Sequence, residues 1–133
     1  MPRILVADDE DFIALLIAEL LEDLDYEVET VYNGRDAIQA LVSDPPDLVI
    51  TDIMMPHATG MDVLATMREH EETRETPVIL MSAAAQPRLS DDKVRFMPKP
   101  FDVRGVVEAV AQALASATGS GRSPQQDYAP QST

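Results

Sequence analysis

Five polar residues stand directly after short apolar runs, and their types suit the handling of a phosphoryl group. Asp8 and Asp9 follow Ile4-Leu5-Val6-Ala7, and Asp52 follows Leu48-Val49-Ile50-Thr51. Ser82 follows Val78-Ile79-Leu80-Met81, and Lys99 follows the weaker run Arg95-Phe96-Met97 and Pro98. If these runs are strands of one parallel sheet, all five residues converge on one edge. Carboxylates brought together repel one another and destabilise the folded state, and a divalent cation relieves the repulsion. Hard oxygen ligands with room for water and phosphate oxygens suit Mg²⁺. A carboxylate can attack phosphorus to give an aspartyl phosphate. The group in transfer is rich in negative charge, so a metal and a cation such as lysine are the stabilisers it needs. A hydroxyl such as that of Ser82 can hydrogen-bond a phosphoryl oxygen once it arrives.

The elements that would position these residues alternate along the chain. After the first run, Phe12, Ile13, Leu16, Ile17, Leu20, Leu21 and Leu24 recur at helical spacing. Glu27 to Val31 alternates polar and apolar and reads as a strand. Asn33-Gly34 is a turn or N-cap signal before a helix carrying Ala37, Ile38, Leu41 and Val42, which Asp44-Pro45-Pro46 ends. Thr59 with Asp62 resembles a capping box, and Met61, Leu64 and Met67 give the next helix face. The last helix carries Val103, Val106, Val107, Val110 and Leu114, with Asp102 as N-cap. Continuous apolar strands with helices between them argue an α/β fold, a parallel sheet covered on both faces. With right-handed crossovers the sheet is open and doubly wound, and its ligands bind outside the carboxyl ends of the strands.

Composition bounds the partners. A chain of 133 residues suits one domain, and only 5% of it is aromatic, so the core must be aliphatic. The formal net charge of −14 disfavours direct contact with nucleic acid or an anionic membrane and favours basic protein surfaces or metal cations. There is no cysteine, which excludes disulfides and thiolate metal sites. The apolar run at the N-terminus is too short for a signal peptide, and no segment approaches the roughly 20 apolar residues of a membrane span. These features read as cytoplasmic. From Ser116 onward Ser, Thr, Gly, Pro and Gln dominate. The expected organisation is a folded domain over residues 1–116 and a flexible polar tail over 117–133.

Asp8-Asp9, Asp52-Ile53-Met54-Met55-Pro56 with Gly60, Ser82-Ala83 and Lys99-Pro100-Phe101 together resemble the receiver domain of two-component response regulators. The likeness runs from about Arg3 to Leu114 and is specific, because four separated motifs occur in order and at strand ends. It implies a flavodoxin-like fold with a five-stranded parallel sheet. It implies that Asp52 is the phosphoacceptor, that Asp9 and Asp52 bind Mg²⁺ directly, that Asp8 helps through water, and that the Met54 backbone carbonyl is a further ligand. It gives Ser82 the switch-hydroxyl role, Lys99 the phosphate contact and Phe96 the aromatic switch position, and it implies a cis bond before Pro100. The partners implied are a sensor histidine kinase or phosphotransfer protein and a downstream protein target. Monomer and weak dimer both stay open.

Some features depart from that family. The stretch from Ser82 to Lys99 is short for that family by roughly one helical turn or more. Pro87 and Ser90-Asp91-Asp92 leave little room in it, so the fourth helix is expected to be short or irregular. Pro98 removes a strand donor. His57 and His70 have no metal-like partner and read as surface residues. The expected activity is not an enzyme's, beyond the chain's own phosphorylation and dephosphorylation. The alternatives are a degenerate receiver that binds protein without phosphorylation, and a phosphatase with an aspartate nucleophile. The latter class places a second acid where this chain has Met54.

Overall fold

The computed structural model describes residues 1–84 and 87–120, and the side chains as far as Ser116. Five strands, β1 (Arg3–Ala7), β2 (Glu27–Val31), β3 (Leu48–Asp52), β4 (Val78–Ser82) and β5 (Val94–Pro98), form one sheet. The helices are α1 (Asp11–Glu22), α2 (Gly34–Ser43), α3 (Gly60–Glu69) and α4 (Val103–Ser120). All strand pairs are parallel and the order is β2-β1-β3-β4-β5. The chain therefore winds outward from β1 to one edge, then returns to build the other side. The reversal lies between β1 and β3, where such sheets open a crevice at their carboxyl ends.

The apolar runs are continuous because the central strands are buried on both faces. Ile4 and Val6 of β1 join one core with Ile50, Ile79 and Met81, closed by Ile17 and Leu21 of α1 and by Val106 and Val110 of α4. Leu5 and Ala7 point the other way, into a core with Val49, Val78 and Leu80 that Leu41 of α2 and Val63, Leu64 and Met67 of α3 complete. Each fully buried Leu or Ile in these layers contributes about 1.5–3 kcal/mol.

The helix starts follow their capping chemistry. The Asn33 side chain accepts the Asp36 amide at 2.8 Å. Thr59 and Asp62 form a complete capping box at α3. The Asp102 carboxylate accepts the Gly105 amide at 2.7 Å at the start of α4.

The buried stripe of α1 differs from the one expected. It runs through Ala14, Ile17, Ala18 and Leu21, while Phe12, Leu16 and Leu24 are exposed. Two alanines let the helix lie close on the sheet, and the bulkier residues beside them turn outward. Val42 of α2 is exposed as well.

Between β4 and β5 the described residues form no helix. In line with that, Val94, Arg95 and Phe96 of β5 are only half-buried. Pro98 closes β5, an edge strand, where a missing N–H disturbs little. The α4 helix runs to Ser120, so the change of composition at Ser116 falls inside a helix. Residues 121–133, to which most of the expected tail belongs, lie outside the described residues. Among the described residues no helix is long and apolar enough to cross a membrane.

Candidate functional site

Strand register brings the polar residues together. Ala7 is level with Thr51, so Asp8 lies beside Asp52. Ser82 is level with Pro98, and the Lys99 amide donates to the Ser82 carbonyl at 2.9 Å. The Lys99–Pro100 peptide bond is cis. From that position the Lys99 ammonium donates to Asp8 Oδ2 at 2.9 Å, Glu10 Oε1 at 3.0 Å and Asp52 Oδ2 at 3.3 Å.

The loop after β3 is held by main-chain contacts. The Ile53 amide donates to the Met81 carbonyl at 3.0 Å and the Gly60 amide to the Ile53 carbonyl at 2.7 Å. The Gly34 amide at the start of α2 donates to the Pro56 carbonyl at 3.2 Å. Neither glycine leaves room for a side chain. A Cβ at Gly60 would lie 2.4 Å from the Asp52 carbonyl oxygen, and one at Gly34 would lie 1.9 Å from that of Ala58. His57 stands in this loop with positive φ and an exposed side chain.

Carboxylate oxygens of Asp8, Glu10 and Asp52 lie within 4.8 Å of one another. Asp8 is fully buried and Asp52 nearly so. Burial raises the Asp52 carboxyl above its ordinary value; Lys99 opposes the rise, and the neighbouring charge of Asp8 adds to it. For Lys99, burial alone would lower the ammonium, but the hydrogen bonds to Asp8 and Glu10 and the charges of Asp52 and Asp8 outweigh it and raise the pKa. The site is thus three carboxylates around one firmly protonated lysine. Its donors are hard oxygens carrying more negative charge than Lys99 neutralises, which fits a small divalent cation such as Mg²⁺.

Asp9, expected to touch the cation directly, is exposed and outside this group of three. Met54 stands two residues beyond Asp52, with its side chain 66% exposed. Ser82 is buried, and its hydroxyl accepts the Ala84 amide at 3.0 Å. Ser82 and Phe96 both line a cavity of about 160 Å³ with Leu80, Ala84, Met97 and Pro98.

Glu10 is the site residue that sequence reasoning passed over. The signal was present: Asp8 and Glu10 are two apart at a strand end, and extended backbone carries alternate side chains to one side. The backbone at Glu10 is extended.

Comparison with known proteins places this geometry in a family. Residues 4–111 match the model of the response regulator receiver domain. The chain is 40% identical over 107 residues to the 3′,5′-cyclic-nucleotide phosphodiesterase regA of Dictyostelium discoideum, covering 74% of this chain and 14% of that protein. It is 32% identical to the DNA-binding dual master transcriptional regulator RpaA of Synechocystis, covering 94% of this chain and 53% of RpaA. The chain thus spans about half or less of the length of these relatives. Among solved structures it is similar to the response regulator TrrA of Thermotoga maritima in complex with Mg²⁺-BeF, with a TM-score of 0.76 and 34% identity over 86% of this chain and all of that one.

Proposed function

The chain belongs to the response regulator receiver family, and on that premise we propose that it is a phosphorylation switch whose acceptor is Asp52. The observation that carries this reading is the convergence of Asp8, Glu10, Asp52 and Lys99 on one sheet edge. An Asp52 carboxylate oxygen attacks the phosphorus of a donor, a phosphohistidine on a sensor kinase or phosphotransfer protein. The new bond is O–P, and the donor's P–N bond breaks, returning its electron pair to the imidazole.

Mg²⁺ would be held directly by Asp9 and Asp52, with Asp8 helping through water and the Met54 backbone carbonyl as a further ligand, and Glu10 stands beside Asp8 and Asp52 as another oxygen donor. When bound, the metal supplies positive charge against the transferring phosphoryl oxygens. Lys99 contributes the second positive charge. Ser82 and Phe96 face a common cavity, and we assign them the reading of the phosphoryl group, Ser82 by its hydroxyl and Phe96 by moving with it. The output is a protein contact, with no nucleic acid or membrane bound directly. The catalysis is confined to the chain's own phosphorylation and dephosphorylation, and a cytoplasmic setting goes with that role.

The test is incubation with acetyl phosphate, with and without Mg²⁺, read by intact mass, with Asp52→Ala as control. One added phosphoryl group that needs Mg²⁺ and vanishes in the control is expected. No adduct under any condition would leave a phosphorylation-independent binding module as the better reading.

A further inference from the structure

An ammonium group has three N–H donors, and Lys99 uses them on Asp8, Glu10 and Asp52. A phosphoryl group on Asp52 can take over the Lys99–Asp52 bond, but a second bond from Lys99 to it requires that the bond to Asp8 or to Glu10 be given up. The three acceptors are unequal. Asp8 is fully buried, and its other oxygen already accepts the Glu10 amide at 2.9 Å, so losing Lys99 would strand a buried charge. Asp52 is the group that carries the phosphoryl. The Glu10 side chain is 62% exposed, so water can replace Lys99 there with little penalty.

Glu10 also occupies the N-cap of α1, where a shorter polar side chain such as Asp, Asn, Ser or Thr ordinarily accepts a helix amide. Here it makes no cap bond, and its carboxylate is turned to Lys99 instead.

We infer that Glu10 is a positioning residue, the resting partner from which a phosphoryl group on Asp52 takes Lys99. The inference rests on Asp52 being the phosphoacceptor. With Glu10 in place, freeing Lys99 has a cost that the phosphorylated state must meet. Without it, Lys99 is available from the start.

The experiment compares the wild-type chain with Glu10→Ala and Glu10→Asp. The alanine removes contact and charge together. The aspartate keeps the charge one methylene short of Lys99. The first measurement is the rate of phosphorylation at saturating Mg²⁺ over a range of acetyl phosphate concentrations. The second is the exchange of the Lys99 ammonium protons with water by NMR, without Mg²⁺ or phosphate. Both variants are expected to raise the limiting phosphorylation rate about two- to fivefold, the range an ion pair of this exposure spans, and to speed Lys99 exchange. A change confined to Glu10→Ala, and to the half-saturating acetyl phosphate, would mean that Glu10 acts only as a diffuse charge and would overturn the inference. Unchanged exchange in both variants would also overturn it. If the exchange shows the contact but the wild-type chain takes up no phosphoryl group, the reading of Asp52 has failed, and the inference falls with it.

Discussion

The two halves of the sheet are built differently. Around β1 and β3 both faces carry helices, every residue of β3 is buried, and the loop after Asp52 is fixed by main-chain hydrogen bonds and by two glycines with no room for a Cβ. Around β5 the described residues offer no helix on one face, and side chains reinforce the strand ladder at its approach. Arg68 of α3 donates from Nε to Asp91 Oδ2 at 2.6 Å and from Nη1 to the carbonyls of Thr73 and Thr76 at 3.3 and 2.9 Å. That tie joins α3 to the residues leading into β5. On the proposed reading, the half that carries the chemistry is fixed by backbone fit around its loop, and the half that reports it depends in addition on replaceable side chains. Such a division lets the output surface vary without disturbing the acceptor.

The largest disturbance should come at the joint between the halves. Lys99→Met leaves Asp8 buried without its counter-charge and should cost about 3–5 kcal/mol in urea unfolding without Mg²⁺. Part of that loss should return when Mg²⁺ is added. An unfolding midpoint unmoved by the substitution would mean that the halves are not joined through this ion cluster. Next comes the backbone-held side. Gly34→Ala sets a methyl against the Ala58 carbonyl and should cost about 3 kcal/mol, as an overpacked site does, while slowing the reaction with acetyl phosphate. Retained stability with a normal rate would show that the loop is freer than the contact implies.

On the other side, Arg68→Ala should cost about 2 kcal/mol, the scale of charged hydrogen bonds, yet leave the acetyl phosphate rate alone. The Asp91 carboxyl is subject to burial, which would raise it, but the Arg68 hydrogen bond and charge outweigh this and hold it below the ordinary 3.8. Its stabilisation is therefore fully present above that value and lost as pH falls below it. In acid titration followed by circular dichroism, Arg68→Ala should lose this part of the acid sensitivity, and an unchanged profile would contradict the assignment.

The smallest structural effect belongs to Met54→Asn. Its side chain is exposed, so thermal stability should stay within about 0.5 kcal/mol. A polar residue there should shorten the life of the phosphoryl group, and an unaltered decay rate would remove that role from Met54.

Much of this could be read along the chain because its central strands are buried on both faces and end abruptly in polar residues. Leu48 to Thr51 followed by Asp52 is legible as strand and site together, and the Thr59–Asp62 cap announced α3. What escaped depends on registers and contacts between distant elements. The inward face of α1 turned on Ala14 and Ala18, which weigh little in an apolar pattern. Asn33-Gly34 reads as a local turn signal, whereas Gly34 is also needed for the approach of Ala58, far away in sequence. Arg68 has no local mark at all, since its partners are assembled only when α3 meets the approach to β5. Glu10 was hidden inside an acidic run whose members look alike until the backbone sends them to different sides.

The outer margins of the sheet carry a consequence for behaviour at high concentration. One margin, β2, presents exposed Glu27 and Glu29, and the other, β5, carries Arg95 and ends at Pro98, which has no N–H to offer. Another molecule adding its own β2 there would set glutamates against glutamates, and at β5 the ladder would run out at the proline. Charge and proline at sheet edges are the devices that discourage strand-by-strand aggregation, and the formal net charge of −14 adds repulsion between copies at long range. The fold is thereby suited to crowding without coalescing into fibres.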